Sequence, residues 1–219
     1  MQKLNERHGQ ESTDKAIRFL SIRLKSRPES GHLATDIDAG RQSLRDKHDA
    51  YIQVREERIA LTAELGYLDS LLDRKVMDIS RTVLVETGGD RTAPKYRKLF
   101  PQSPSQQMRP VASDGQERYV EGIISRLKDD EEYKHLSGFI EELENCLSDM
   151  ALVIEQRKDK YLEESQKETD WRITKDEVQR NYNLTYPYLQ LIFQGNDALV
   201  ESFFSKVSKG NSKSEETTE

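Results

Sequence analysis

The placement of proline constrains this chain more than any other feature. The six prolines fall at 28, 94, 101, 104, 110 and 187, leaving 29–93 and 111–186 free of them. Glycine is scarce in the same stretches. Gly66 stands alone between Arg41 and Thr87, and none occurs from Phe139 to Gln194. A helix interior loses roughly 3 kcal/mol to proline and about 1 kcal/mol to glycine. Two long helices are therefore permitted, and periodicity makes the case for them.

In the first stretch Leu61, Leu65, Leu68, Leu72, Val76, Ile79 and Val83 recur every three or four residues, which is one helical face. In the second, Leu136, Ile140, Leu143, Leu147, Met150 and Ile154 follow a heptad pattern. Thr35 with Asp38 three residues on has the form of a capping box. Asp129, Asp130, Glu131 and Glu132 place four acids where a helix N-terminus favours negative charge. The chain divides accordingly. Residues 1–35 form an N-terminal segment with a short helix, and 36–87 form long helix one. Residues 88–128 are a basic loop followed by a short helix at about 115–128, and 129–187 form long helix two. Pro187 should kink or end that helix. An aromatic C-terminal helix occupies 188–206, and the polar remainder, 207–219, reads as a disordered tail.

Helix one is apolar-rich at its end and helix two at its start, so antiparallel pairing sets rich against rich beside the connection. The expected fold is all-α: an elongated, coiled-coil-like antiparallel helical hairpin with short accessory helices at both ends. The thirteen seam residues do not by themselves offset the entropy of ordering the backbone that carries them. The short helix with Tyr119, Val120, Ile123, Ile124 and Leu127 is the local candidate to complete the seam; a second subunit is the other. At the opposite end, residues 14–26 carry Ile17, Phe19, Leu20, Ile22 and Leu24, which are expected to pack against the aromatics of 182–204. Arg18, Arg23 and Lys25 among them offer membrane-surface docking as the alternative. Aligning the halves at an offset of 93 superimposes Phe100 on Phe193, but Leu72 then falls on Ser165 and Ile79 on Arg172, so the seams do not coincide.

Apolar and charged residues each make up 34% of the chain, and mean hydropathy is −0.86. This balance argues against one large closely packed core, and no run reaches the length of a membrane span. The opening Met1–Asn5 starts no apolar run of the secretory kind. A single cysteine, Cys146, excludes an internal disulfide framework and a cysteine metal cluster, which makes the cytoplasm the expected compartment.

The net charge of −6 is unevenly spread. Residues 129–170 hold fourteen acids against five bases, whereas 91–113 hold five bases (Arg91, Lys95, Arg97, Lys98, Arg109) and no acid. That basic loop is expected to lie solvated against the acidic start of helix two. It could instead meet an acidic protein partner or nucleic acid.

Candidate chemistry is thin. Glu132-x-x-His135 has the spacing of di-iron helical bundles, but those need a second such motif on a helix and two further core glutamates. Glu29-x-x-His32 follows Pro28 and contains Gly31, which places it in a loop. Gly88-Gly89-Asp90-Arg91-Thr92 lacks the ending of a phosphate loop and reads as a helix C-cap. Glu144 and Asp149 near Cys146 disfavour a thiolate. No catalytic, cofactor-binding or metal-ligating residue is assigned, and no cofactor.

The leading functional expectation is a non-catalytic scaffold, adaptor or assembly subunit that works through protein–protein contacts at the ends of a helical stalk. The expected contact residues are Tyr96, Arg97, Lys98, Leu99, Phe100 and Arg109 at one end, and Tyr188, Phe193, Phe203 and Phe204 at the other. Partners would be proteins, an acidic one suiting the basic group, or further copies of the chain. A nucleic-acid-associated protein using 91–113 is the alternative, and a metal-dependent helical-bundle enzyme a remoter one.

Overall fold

The computed structural model describes residues 3–109 and 112–205, and every regular element among them is helical. In chain order these are α1 (Gln10–Lys25), α2 (Ala34–Glu86), α3 (Pro94–Leu99), α4 (Pro104–Gln107), α5 (Asp114–Asp129), α6 (Gly138–Ile192) and α7 (Asp197–Glu201). Tight three-residue-per-turn segments at Gly31–Leu33 and Glu131–Leu136 lead into the two long helices. Those helices, α2 and α6, pack against each other, so the fold is the all-α helical hairpin expected. The tail at 207–219 lies outside the described residues.

The chain forms two compact units, and α2 and α6 contribute to both. One unit comprises 1–54 with 163–219, the other 55–162. The second unit holds the leucine-rich seams. Leu65, Leu68, Leu72, Val76, Ile79 and Val83 are all buried, facing Leu136, Leu143, Met150 and Val153 of the return segment. Lys75 bridges to Glu142 and Lys160 to Glu57, so within this unit the helices run in opposite directions. The α6 seam is rotated slightly from its expected face. Cys146 and Val153 are buried, whereas Ile140 and Leu147 are only partly covered and Ile154 is 43% exposed.

What completes this seam is α5 together with the connection itself. Val120, Ile123 and Leu127 of α5 are buried as expected, and Tyr96, Leu99, Phe100 and Met108 join the same core. The described part of 91–109 is thus packed into the core rather than a solvated loop. Pro94 and Pro104 each open a short helix at its first turn, where proline's missing N–H costs nothing. The preceding helix ends as the glycines predict. Gly88 N–H donates to the Val85 carbonyl at 3.1 Å and Gly89 N–H to that of Leu84 at 2.8 Å, both glycines having positive φ.

In the first unit, Ile17, Leu20 and Leu24 of α1 pack with Ile37 and Leu44 of α2 and with Val178, Tyr182 and Leu189 of α6. Phe203 and Val200 close the cluster, which is the packing of α1 on the C-terminal aromatics expected from sequence. A Cβ on Gly40 would lie 3.3 Å from Val178 Cγ2, so glycine permits a close approach of α2 to α6.

Two local expectations are corrected. Thr35 is not the residue before the helix: α2 starts at Ala34 directly from the preceding turn, and the Asp38 carboxylate accepts from Ser21 Oγ and pairs with Lys25. Pro187 does not end α6, which continues to Ile192. Proline cannot donate to the carbonyl four residues back. Pro187 is exposed, so water can take that role, while the neighbouring Leu189 is fully buried and holds the turn in place.

Candidate interaction site

The last turns of α6 sort their side chains sharply. Tyr182, Thr185 and Leu189 are buried, whereas Leu184, Tyr188 and Leu191 are 47%, 55% and 67% exposed. The exposed three are spaced i, i+4, i+7, so they share one outer face. Ile173, eleven residues before Leu184 and 54% exposed, continues the same row, with the exposed Glu177 and Arg180 between them. Helix α6 also exposes Leu152, Tyr161 and Leu162, but here three such side chains share one face within two turns.

Beside the row runs a groove of about 990 Å3, formed between the N-terminal segment and α6 and lined by Leu4, Arg7, Asp176, Arg180, Leu184 and Pro187 among others. Its N-terminal wall is fastened by Asn183, whose side chain accepts from Leu4 N–H at 3.0 Å and donates to the Leu4 carbonyl at 2.9 Å. Leu4 itself is buried. Comparisons with known protein families, characterised proteins and solved structures give no match.

The other aromatics expected at this end are not surface residues. Phe203 is 1% exposed and stacks on the half-buried Phe193 at 5.6 Å, with the Arg23 guanidinium 6.0 Å from its ring centre. Phe204, also buried, meets Tyr182 edge-on at 5.3 Å. Burial pushes the Tyr182 hydroxyl up to about 12, against a lowering by Ser205. Of the four expected contact aromatics, Tyr188 alone is exposed.

In the second unit the expected contact group divides by polarity. Tyr96, Leu99 and Phe100 are 5%, 0% and 3% exposed, which makes them core rather than anchors for a partner. Tyr96 Oη lies 2.8 Å from Ser80 Oγ in a buried hydrogen bond. Arg97, Lys98 and Arg109 are exposed. Lys98 pairs with Asp130, and that hydrogen bond raises the lysine and lowers the carboxyl. Lys95 pairs with Glu86 at 2.8 Å, and Glu86 also meets His135 Nε2 at 2.6 Å. His135 thus faces Glu86 across the hairpin. Among the described residues, no three His, Cys, Asp or Glu side chains are grouped so as to hold a metal ion.

This unit also holds a smaller cavity, about 230 Å3, between Leu72, Gln116, Leu147, Met150 and Ile154. The buried Asp69 carboxylate braces its rim, accepting from Ala112 N–H at 3.1 Å and Gln116 Nε2 at 2.8 Å. One turn on, burial and the Asp69 charge raise the Asp73 carboxyl, a hydrogen bond from Gln116 only partly offsetting them.

The surface row could have been found from sequence. Leu184, Tyr188 and Leu191 keep helical spacing across Pro187; Tyr188 is an expected contact, but a helix kinked or ended at Pro187 separates it from Leu184 and Leu191. The Asn183 clamp had no such signal, because it joins residues 179 positions apart.

Proposed function

We propose that this chain is a non-catalytic cytoplasmic adaptor or assembly subunit that holds a protein partner on the outer face of α6, with Tyr188 as its anchor. The observation that carries the reading is the exposed row Leu184, Tyr188 and Leu191 beside the groove walled by residues 3–7. Tyrosine at the centre of an apolar patch is a typical hot-spot residue, since it buries a large ring at low entropic cost while its hydroxyl finds a partner. Arg180 beside the row suits a partner with a carboxylate at its edge, which would fix the register of docking. A second copy of the chain is a further occupant that the row could serve. The exposed Arg97 and Arg109 of the other unit have lost the apolar neighbours that would anchor a contact there, which favours the α6 face over the loop.

The test is affinity purification from native cells with the parent chain, Tyr188→Glu and Arg97→Ala. A stoichiometric protein companion, or a second copy by light scattering, should be recovered with the parent and Arg97→Ala and lost with Tyr188→Glu. A strictly monomeric protein recovered alone, or a companion indifferent to Tyr188→Glu, contradicts the reading.

A further inference from the structure

Helix α1 is amphipathic toward both of its surroundings. Its inner face, with Ile17, Leu20 and Leu24, is fully buried in the first unit's core. A helix docked in this way ordinarily turns a polar face outward. Here the outer face carries Phe19 and Ile22, 39% and 57% exposed. Lys15, Arg18, Ile22 and Lys25 recur at i, i+3, i+7 and i+10, with Phe19 one turn after Lys15, so cations bracket the apolar pair on one side of the helix.

The charge on this face is basic beyond the start of the helix, where Glu11 and Asp14 stand. From Lys15 to Arg27 there are five cations (Lys15, Arg18, Arg23, Lys25, Arg27) and no carboxylate, in a chain whose net charge is −6. Several acids lie close in sequence or are paired with these cations, and Glu29, two residues past Arg27, is exposed. Asp14 is held by Arg41 and Arg45 of α2, Glu11 pairs with Lys15, and Asp38 pairs with Lys25. Arg23 bonds Ser202 and lies over Phe203. Arg18 and Arg27 are exposed and lie between and beyond these pairs.

We propose that the outer face of α1 docks on an anionic lipid bilayer, with the helix axis in the plane of the membrane. Ile22 and Phe19 enter the boundary between headgroups and acyl chains, while Arg18 and Arg27 meet the phosphates, and Lys15 and Lys25 join them on exchanging Glu11 and Asp38 for phosphate. Long basic side chains suit this geometry, because their stems stay among the acyl chains while their heads reach water and phosphate. A soluble acidic partner would answer the cations but would leave the two apolar side chains without a purpose, and this favours lipid. The inference is independent of the role given to Tyr188, which lies on another helix.

Flotation of the full chain with vesicles tests it. Vesicles of phosphatidylcholine mixed with phosphatidylserine should carry the protein, phosphatidylcholine alone should not, and added salt should release it. Anionic-leaflet attraction acts per basic residue, so Arg18→Glu should weaken binding about thirtyfold. Ile22→Asp should abolish binding and Ile22→Leu preserve it, and circular dichroism should show all three variants as helical as the parent. The proposal fails if the mixed vesicles leave the parent behind, if phosphatidylcholine alone binds equally well, or if Arg18→Glu and Ile22→Asp both bind like the parent. Binding to soluble polyglutamate as tight as to the mixed vesicles would overturn it as well.

Discussion

The Asn183 side chain serves both polar groups of the Leu4 backbone at once, accepting from its N–H at 3.0 Å and donating to its carbonyl at 2.9 Å. A carboxamide in this position pairs with the backbone as a neighbouring strand edge would, and it ties the N-terminal segment to α6. The wall of the groove beside Leu184 is therefore fastened by Asn183, together with the buried Leu4 side chain and a hydrogen bond from Lys175 to the Glu6 carbonyl. Asn183→Ala should lower stability by about 1–2 kcal/mol and speed tryptic cleavage after Arg7. Asn183→Asp keeps the acceptor and loses the donor, so it should fall between. Proteolysis timed against denaturant midpoints separates a loosened segment from global unfolding.

The connection between the long helices should behave as core. Leu99 has no exposed surface, whereas its neighbour Arg97 is exposed. Leu99→Ala should cost about 2–5 kcal/mol. Arg97→Ala should stay within about 0.5 kcal/mol of the parent. Urea unfolding of the two variants checks both values.

Asp14 should support the fold in neutral solution and cease to do so in acid. Burial alone would raise its carboxyl, but the guanidinium groups of Arg45 and Arg41 outweigh this and hold it below the ordinary 3.8. A group whose pKa is lowered by folding contributes stability above its unfolded pKa and loses it as pH falls through the lower, folded value. Asp14→Asn should therefore cost about 2 kcal/mol near neutrality. The gap from the parent should narrow below about pH 3.8. Thermal unfolding across pH reads the difference directly.

Asp73 should show the opposite sign. Burial and the charge of Asp69 raise its carboxyl, so the folded state holds its proton more firmly than the unfolded chain does. Its ionisation works against folding at neutral pH. Asp73→Asn should stabilise the protein there by up to about 1 kcal/mol. The advantage should shrink as acid protonates the parent. An advantage that grows in acid would contradict this reading.

The hairpin was legible because its signal repeats. Leu65, Leu68, Leu72, Val76, Ile79 and Val83 form a single face by spacing alone, and all six are buried. The connection was less so. Its basic residues suggested solvent, yet Tyr96, Leu99 and Phe100 fill a seam that the two helices leave open. Proline at the first turn of a helix, as at Pro94 and Pro104, was the overlooked cue. Pro187 misled in the other direction, since burial of Leu189 and Tyr182 carries the helix through a residue that local preference would use as a stop. Tyr188 was legible in the sequence, but its row partners Leu184 and Leu191 were hidden by that proline. Exposure of Phe203 and Phe204 could not be judged from composition, because the aromatics that pack in a core and those that meet a partner are the same residue types.

Hydrogen exchange of the full chain, free and in its purified complex, is the most direct test of the α6 face. The turns carrying Leu184, Tyr188 and Leu191 should gain protection on complex formation, while α3 and the residues around Arg97 exchange unchanged. Protection gained around Arg97 and Arg109, with 181–192 unaltered, would contradict the account and place the contact on the other unit.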